Sequence, residues 1–265
     1  MALSCVLIVS LSLLAFFFIS LFLARWALRP VEKSWAQQRQ FVADASHELK
    51  TPLTVILANN NILLAHKHDT VESQKKWIVS TQDEAEHMRK LVDELLFLAK
   101  SDAAETHRMF TSVDLSELVW AVLLQFEPVA YEKQITLDSQ VEPDIVVQGD
   151  PTMLKQLIHI LLDNACKYAP PQGDVSLGLK RRQNDALLWV RNTGSAISQD
   201  DIPHIFERFY RSDKARSNAG GFGLGLAIAK SISQTHRGQI FASSEKNAVT
   251  FTVKIPLDKK REPSK

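Results

Sequence analysis

The sequence predicts an α+β protein in three parts: an apolar N-terminal helix, a helical hairpin, and a C-terminal α/β sandwich. Three observations carry that reading. Ala2 to Ala24 contains no charged residue, Val31 to Lys100 repeats apolar positions at helical spacing with one interruption, and from Val113 onward helical patterns alternate with short strand-like runs.

The apolar run comes first. A helix needs about 20 apolar residues to cross the hydrocarbon core of a bilayer, so residues 1–25 read as a transmembrane helix, with residues 2–24 in the lipid bilayer. Arg25, Arg29, Lys33 and Arg39 follow it. By the positive-inside rule this makes a single-pass membrane protein whose later domains are cytoplasmic, and Trp26 fits an interfacial anchor. A cleaved signal peptide is the competing reading, but no positive charge precedes the run and no small-residue cleavage site follows it. With few residues ahead of the span, no extracellular sensor region is expected: either a stimulus acts within the bilayer or through a partner, or the chain is a truncated copy lacking a sensor.

Residues 26–36 then form a juxtamembrane connector, in which Arg29-Pro30 predicts a break before a helix resumes near Val31 and runs to about Ala65. The segment 66–70, HKHDT, reads as a turn. A second helix spans about Glu72 to Lys100, with Ile78, Thr81, Ala85, Met88, Val92, Leu95 and Ala99 at alternating steps of three and four. One hairpin cannot cover both apolar seams. Two copies dimerising into a four-helix bundle would do so; the alternative is a monomeric hairpin lying against the C-terminal domain.

The chemistry is concentrated in Phe41 to Leu53, FVADASHELKTPL. On a helix, Val42, Ala45, Leu49 and Leu53 form a buried stripe while His47, Glu48 and Thr51 share a more exposed flank. Pro52 donates no backbone N–H and would release the Glu48 carbonyl, bending the helix just after the His–Glu pair. Imidazole has a reference pKa of roughly 6.5, so at neutral pH one nitrogen of His47 can act as a nucleophile while Glu48 holds the other.

After a polar linker from Ser101 to Thr111, residues 113–258 read as the second domain. Helical patterns at Leu115 to Tyr131, Pro151 to Tyr168, Asp200 to Phe209 and Leu224 to His236 are interleaved with strand-like runs. The runs are Ile135 to Val141, Val175 to Lys180, Ala186 to Arg191, Gln239 to Ser243 and Val249 to Ile255. Helices on one face of a mixed sheet follow. Asn164 and Lys167, three apart, share a helix face where an amide oxygen can ligate Mg²⁺ and an ammonium can meet phosphate. In the run GGFGLGL, Gly221, Gly223 and Gly225 with Leu224 let backbone N–H groups approach phosphate ahead of a helix N-terminus. Arg208 and Arg211, in IFERFYR, are candidate phosphate contacts; Phe206 and Phe209 pack the base of a lid formed by Ser212 to Ala219.

Composition removes several other classes. Lys and Arg total 31 against 30 Asp and Glu, interleaved along the chain, which argues against direct nucleic-acid binding. The two cysteines, Cys5 and Cys166, match no metal spacing and read as packing residues in a reducing interior. No G-x-x-x-x-G-K-[ST] segment is present, which excludes a P-loop.

FVADASHELKTPL resembles the phosphoacceptor box of bacterial sensor histidine kinases, an aromatic residue followed by S-H-E-L-[KR]-T-P-L. The segments LLDNACKYAP, NTGSAI, IFERFYR and GGFGLGL follow in the order of that family's N, G1, F and G2 boxes. The resemblance implies a dimerisation and phosphotransfer domain over residues 37–102 and an ATP-binding domain over residues 113–258, an α/β sandwich of the Bergerat or GHKL type. It further implies attack of His47 on the γ-phosphoryl of ATP with Glu48 orienting the ring, relay to an aspartate on a cognate response regulator, and dephosphorylation of that partner through Thr51. ATP and Mg²⁺ would be bound by Asn164, Lys167, Tyr168, Asn192, Gly194, Ile197, Arg208, Arg211 and the glycine run, with Asn164 on the metal. Three positions depart from the pattern. Ile160 replaces an asparagine, Ala196 a glycine, and Asn192 stands where an acid usually accepts the adenine amino group. The last exchange weakens binding by about 1 kcal/mol. A phosphatase-dominant relative, or a dimeric membrane scaffold insensitive to nucleotide, is the alternative function.

Overall fold

The computed structural model describes residues 2–102, 110–212 and 221–258. Two long helices, α1 (Ala2–Ala65) and α2 (Val71–Asp102), form the hairpin. The second domain follows in the order β1 (Thr111–Asp114), α3 (Leu115–Glu132), β2 (Thr136–Val141), β3 (Val146–Gly149), α4 (Pro151–Tyr168), β4 (Asp174–Arg182), β5 (Asp185–Thr193), α5 (Gly225–Thr235), β6 (Gln239–Glu245) and β7 (Ala248–Pro256). The five-stranded sheet has the order β2-β4-β5-β7-β6, parallel between β2 and β4 and antiparallel elsewhere.

Strand alternation builds the core. Val175, Leu177 and Leu179 on β4, Ala186, Leu188 and Val190 on β5, and Phe251, Val253 and Ile255 on β7 point to one face and are buried. Against them α4 lays Leu154, Leu157, Ile158, Leu161, Leu162 and Ala165. On the opposite face the Trp189 ring covers Gly178 and leaves no room there for a Cβ. Asp150 sets the start of α4 by accepting hydrogen bonds from the N–H groups of Thr152 and Met153, with Pro151 at the first helical position. Asp150→Ala is therefore expected to lower the unfolding free energy by about 1 kcal/mol, measured by urea denaturation.

The structure revises the sequence reading at several points. No break occurs at Pro30: α1 runs unbroken from Ala2 through Pro30 and Pro52 to Ala65. A proline in a long helix removes one hydrogen bond and holds a φ near the helical value, so the flanking turns can carry the helix past it. The helix expected at Asp200 to Phe209 is instead a chain of turns, bonded to the third or the fourth preceding carbonyl. Pro203 supplies no donor there and Phe209 turns left-handed at φ 60°. Strands β1 and β3, absent from the sequence reading, pair antiparallel as a small second sheet that matches Val113 with Val147. Much of the linker and the lid segment expected at Ser212 to Ala219 lie outside the described residues.

Two stripes on α2 do different work. His87, Leu91, Glu94, Leu98 and Ser101 face the second domain, with Leu91 at 0% and Leu98 at 1% exposure. Along the heptad seam one residue further round the helix, Ile78 at 41% and Val92 at 40% are exposed, while Thr81, Met88 and Leu95 are half-buried. The hairpin thus meets the second domain through α2, and Ile78 and Val92 are left exposed within the single chain. Asn59 on α1, buried, donates to Ser80 Oγ on α2 at 3.0 Å and fixes the register of the two helices.

Candidate active site

His47 stands on α1 with its side chain exposed, while Glu48 is half-buried. Consecutive helix positions lie about 100° apart, and no hydrogen bond joins the two side chains among the described residues. The Thr51 hydroxyl donates to the His47 carbonyl at 3.5 Å, one turn back along the helix. His47 and Thr51 thus share the flank that the helical pattern assigned them, and the ring is open to an incoming group.

The second cluster forms where the face of α4 meets the glycine run. A Cβ on Gly221 would come within 2.8 Å of Lys167 Nζ, and one on Gly225 within 3.5 Å of Ile160 Cγ2. Ile160, Asn164 and Lys167 occupy steps of four and three on α4, so Asn164 lies on the same face between the two contacts. Gly221 at φ 126° and Gly223 at φ 73° adopt left-handed backbone that L side chains rarely take. Leu224, fully buried, anchors the loop and precedes α5, whose N-terminus has no side-chain cap. Its first N–H groups are oriented for an anion in the same cleft.

The far wall is the end of β5. Asn192 is buried on the helix-facing side and donates from Nδ2 to the Thr193 carbonyl at 3.0 Å. Gly194 turns at φ 150° beside the Tyr168 carbonyl, where a Cβ would lie 2.7 Å from that oxygen. The loop beyond is held by the Gly194 N–H to the Asn247 carbonyl at 3.0 Å and by the Ile197 N–H to Ser244 Oγ at 2.9 Å.

Electrostatics mark the cleft as a cation-lined, partly desolvated place. Burial pushes the Lys167 ammonium below its ordinary pKa, with Asp163 opposing that shift and Arg211 and Lys90 adding to it. Burial likewise raises the Tyr168 hydroxyl, against the Arg211 charge. Arg211 therefore belongs to this cluster. The Arg208 guanidinium lies 5.0 Å over the Phe41 ring on α1. Phe209 packs on the same ring at 5.9 Å, whereas Phe206 turns into the core against Phe251 at 6.4 Å.

The structure thus brings Asn164, Lys167, Tyr168, Asn192, Gly194, Arg211, Gly221, Gly223, Leu224 and Gly225 around one cleft, with Ile197 at its rim. Sequence reasoning missed Ser244 and Asn247, which hold the loop through backbone groups, and Glu94, which approaches the cleft from α2. A hydroxyl or carboxylate in an otherwise ordinary strand, turn or helix carries no local signal of that kind.

Comparison with known proteins agrees with this division. Residues 37–104 match the His Kinase A (phospho-acceptor) domain, and residues 149–259 match the family described as histidine kinase-, DNA gyrase B-, and HSP90-like ATPase. The chain is 35% identical over 243 residues to the sensor protein DltS of Streptococcus agalactiae serotype III, covering 91% of this chain and 60% of that one. It is 39% identical over 216 residues to the sensor histidine kinase YkoH of Bacillus subtilis, covering 81% and 46%. The chain thus spans about half the length of the curated relatives it matches. Its fold is that of the histidine kinase ThkA, solved with the response regulator protein TrrA, at a TM-score of 0.68 and 24% identity over 89% of this chain and 66% of that one. A phospho-acceptor hairpin followed by an ATPase domain, with named relatives matching across both, assigns the chain to the bacterial sensor histidine kinases.

Proposed function

We propose that this chain is a membrane-anchored protein-histidine kinase that phosphorylates His47 from ATP and passes the phosphoryl group to an aspartate on a response regulator. The observation that carries the reading is the exposed imidazole of His47 on a phospho-acceptor hairpin, joined in one chain to a cleft built of Lys167, Arg211 and left-handed glycines. The apolar segment Ser10–Arg29, of mean hydropathy 2.0 and unburied, supports the anchor. The exposed Ile78 and Val92 on α2, in a hairpin that matches the phospho-acceptor family, support a homodimer.

ATP enters as substrate. Its adenine would lie toward Asn192 and Gly194 and its phosphates toward Lys167, Arg211 and the glycine run. A hard divalent cation suits the remaining donors: Asn164 offers one amide oxygen, and the triphosphate and water complete the shell, the usual arrangement for Mg²⁺. The cation supplies neutralisation of charge on the transferred group. The chain's own contribution is positioning. Lys167 and Arg211 hold the oxygens, and one nitrogen of the imidazole attacks phosphorus as the bond to ADP breaks. The other nitrogen sheds its proton to solvent or to Glu48.

Incubation of the full chain in lipid nanodiscs with γ-labelled ATP is expected to give a phosphoprotein stable to alkali and lost in acid, with labelling stopped by EDTA and restored by Mg²⁺. Acid-stable label, or labelling indifferent to EDTA, counts against the reading.

A further inference from the structure

One imidazole closes the end of the ATPase domain opposite the nucleotide cleft. His236, 3% exposed, ends α5, and both of its ring nitrogens are engaged. Nδ1 lies 2.8 Å from the Ile232 carbonyl, which can only accept, so Nδ1 carries the proton. Nε2 is then the acceptor, and it takes the Asp150 N–H at 3.1 Å. Asp150 is the residue that caps the start of α4. The imidazole also packs over Gly149, where a Cβ would lie 2.6 Å from its Cδ2. Phe110, the last residue of the linker before β1, stacks on the same ring at 5.0 Å and 6°. Linker, α4 and α5 therefore meet on a single side chain.

The two helices pack against each other and run in opposite senses between this ring and the cleft. From Asp150 to Ile160 is ten residues and from His236 back to Gly225 eleven, about 15 and 17 Å of helical rise. The stretches match in length, and Ile160 lies beside Gly225, 3.5 Å from an added Cβ. The pair is thus closed at both ends, by the imidazole at one and by the glycine run at the other. That spacing sets Lys167 on α4 apart from the first N–H groups of α5, the groups assigned to phosphate. Resting on the kinase reading above, we propose that His236 is a positioning residue for nucleotide binding: it fixes the spacing of α4 and α5, and through Phe110 it ties that spacing to the linker from the hairpin. Loosening the far end lets α5 pivot about the buried Leu224 and moves its first N–H groups relative to Lys167. Coupling of this kind is reciprocal, so a bound nucleotide tightens the seat of Phe110.

Calorimetric titration of the full chain in lipid nanodiscs with ATP tests the proposal, with thermal melting to show each variant folded. His236→Phe keeps a ring for Phe110 but removes both hydrogen bonds, and it should weaken ATP binding at least ~5-fold. His236→Gln, whose Oε1 can accept from the Asp150 N–H, should recover affinity to within ~2-fold of the parent. Phe110→Ala should weaken binding ~3-fold. The double variant should bind no more weakly than His236→Phe alone, because both changes act through one ring. A folded His236→Phe that melts lower yet binds ATP like the parent has lost only stability, and overturns the proposal. A Gln variant as weak as the Phe variant, or losses at the two positions that add, overturn it too. If His236→Phe does not fold, Phe110→Ala decides alone, and parent-like affinity there overturns the proposal. A parent chain that binds no ATP defeats the kinase reading instead.

Discussion

His47→Gln is expected to reduce acid-labile labelling by at least about 10³-fold while leaving ATP affinity within a factor of two. The glutamine amide nitrogen is conjugated with its carbonyl and has no lone pair free to attack phosphorus, so the nucleophile is removed outright, and losses of that size or greater follow. The side chain is exposed and stands on α1, outside the domain that carries Asn192, Gly194 and Lys167. Surface substitutions of that kind change stability by about 0.5 kcal/mol or less. Calorimetric titration with ATP should therefore match the parent chain. Label persisting on the variant would move the phosphoacceptor to another residue; loss of ATP binding would mean that the substitution disturbed the docked domain. The phosphatase alternative parts from the kinase in the same assay, since a chain acting only through Thr51 labels no more strongly with His47 present than without it.

The helices of the ATPase domain were legible because their signals are local. Asp150-Pro151 marks the start of α4 and is found capping it, and the apolar rows of α4 and of β4, β5 and β7 fall on the faces their periodicities assign. Local signals misled at Pro30 and at 200–209. The first is a helix breaker only if the flanking turns fail to carry the helix past it; the second has helical composition, but its hydrogen-bond ladder is interrupted at Pro203. The pair β1 and β3 was invisible because each has four residues and its partner lies more than thirty positions away. The cleft residues around the glycine run were legible as types, since phosphate needs N–H groups and cations. What spacing does not encode is which helix the cleft faces. Leu91 and Leu98 read as ordinary members of an amphipathic helix, and only the fold shows that they are fully buried while Ile78 and Val92 beside them are exposed.

Gly223→Ala is the second large effect, and Gly225→Ala is its control. At Gly223 the backbone sits at φ 73°, and an added Cβ would lie 2.8 Å from the Tyr210 carbonyl oxygen and 2.9 Å from the Phe209 carbonyl carbon. Both are backbone atoms, so no rotamer change relieves the contact. The left-handed conformation alone costs a non-glycine residue about 1–2 kcal/mol. With Leu224 buried at the start of α5, the loop can only yield outward, which moves the N–H groups off the positions where a phosphate would meet them. A loss of about 100-fold in ATP affinity, roughly 2.7 kcal/mol, is the expected result. At Gly225 the backbone is helical, and the nearest atom to an added Cβ is the Ile160 methyl at 3.5 Å, an ordinary contact. Alanine there should hold affinity within about threefold and steady the first turn of α5, as alanine does in helix interiors. Titration of both variants, with thermal melting to show each still folded, separates a cradle set by backbone geometry from a loop in which any small residue serves. Equal losses at the two positions would mean that the nucleotide needs the space itself and not the left-handed turn.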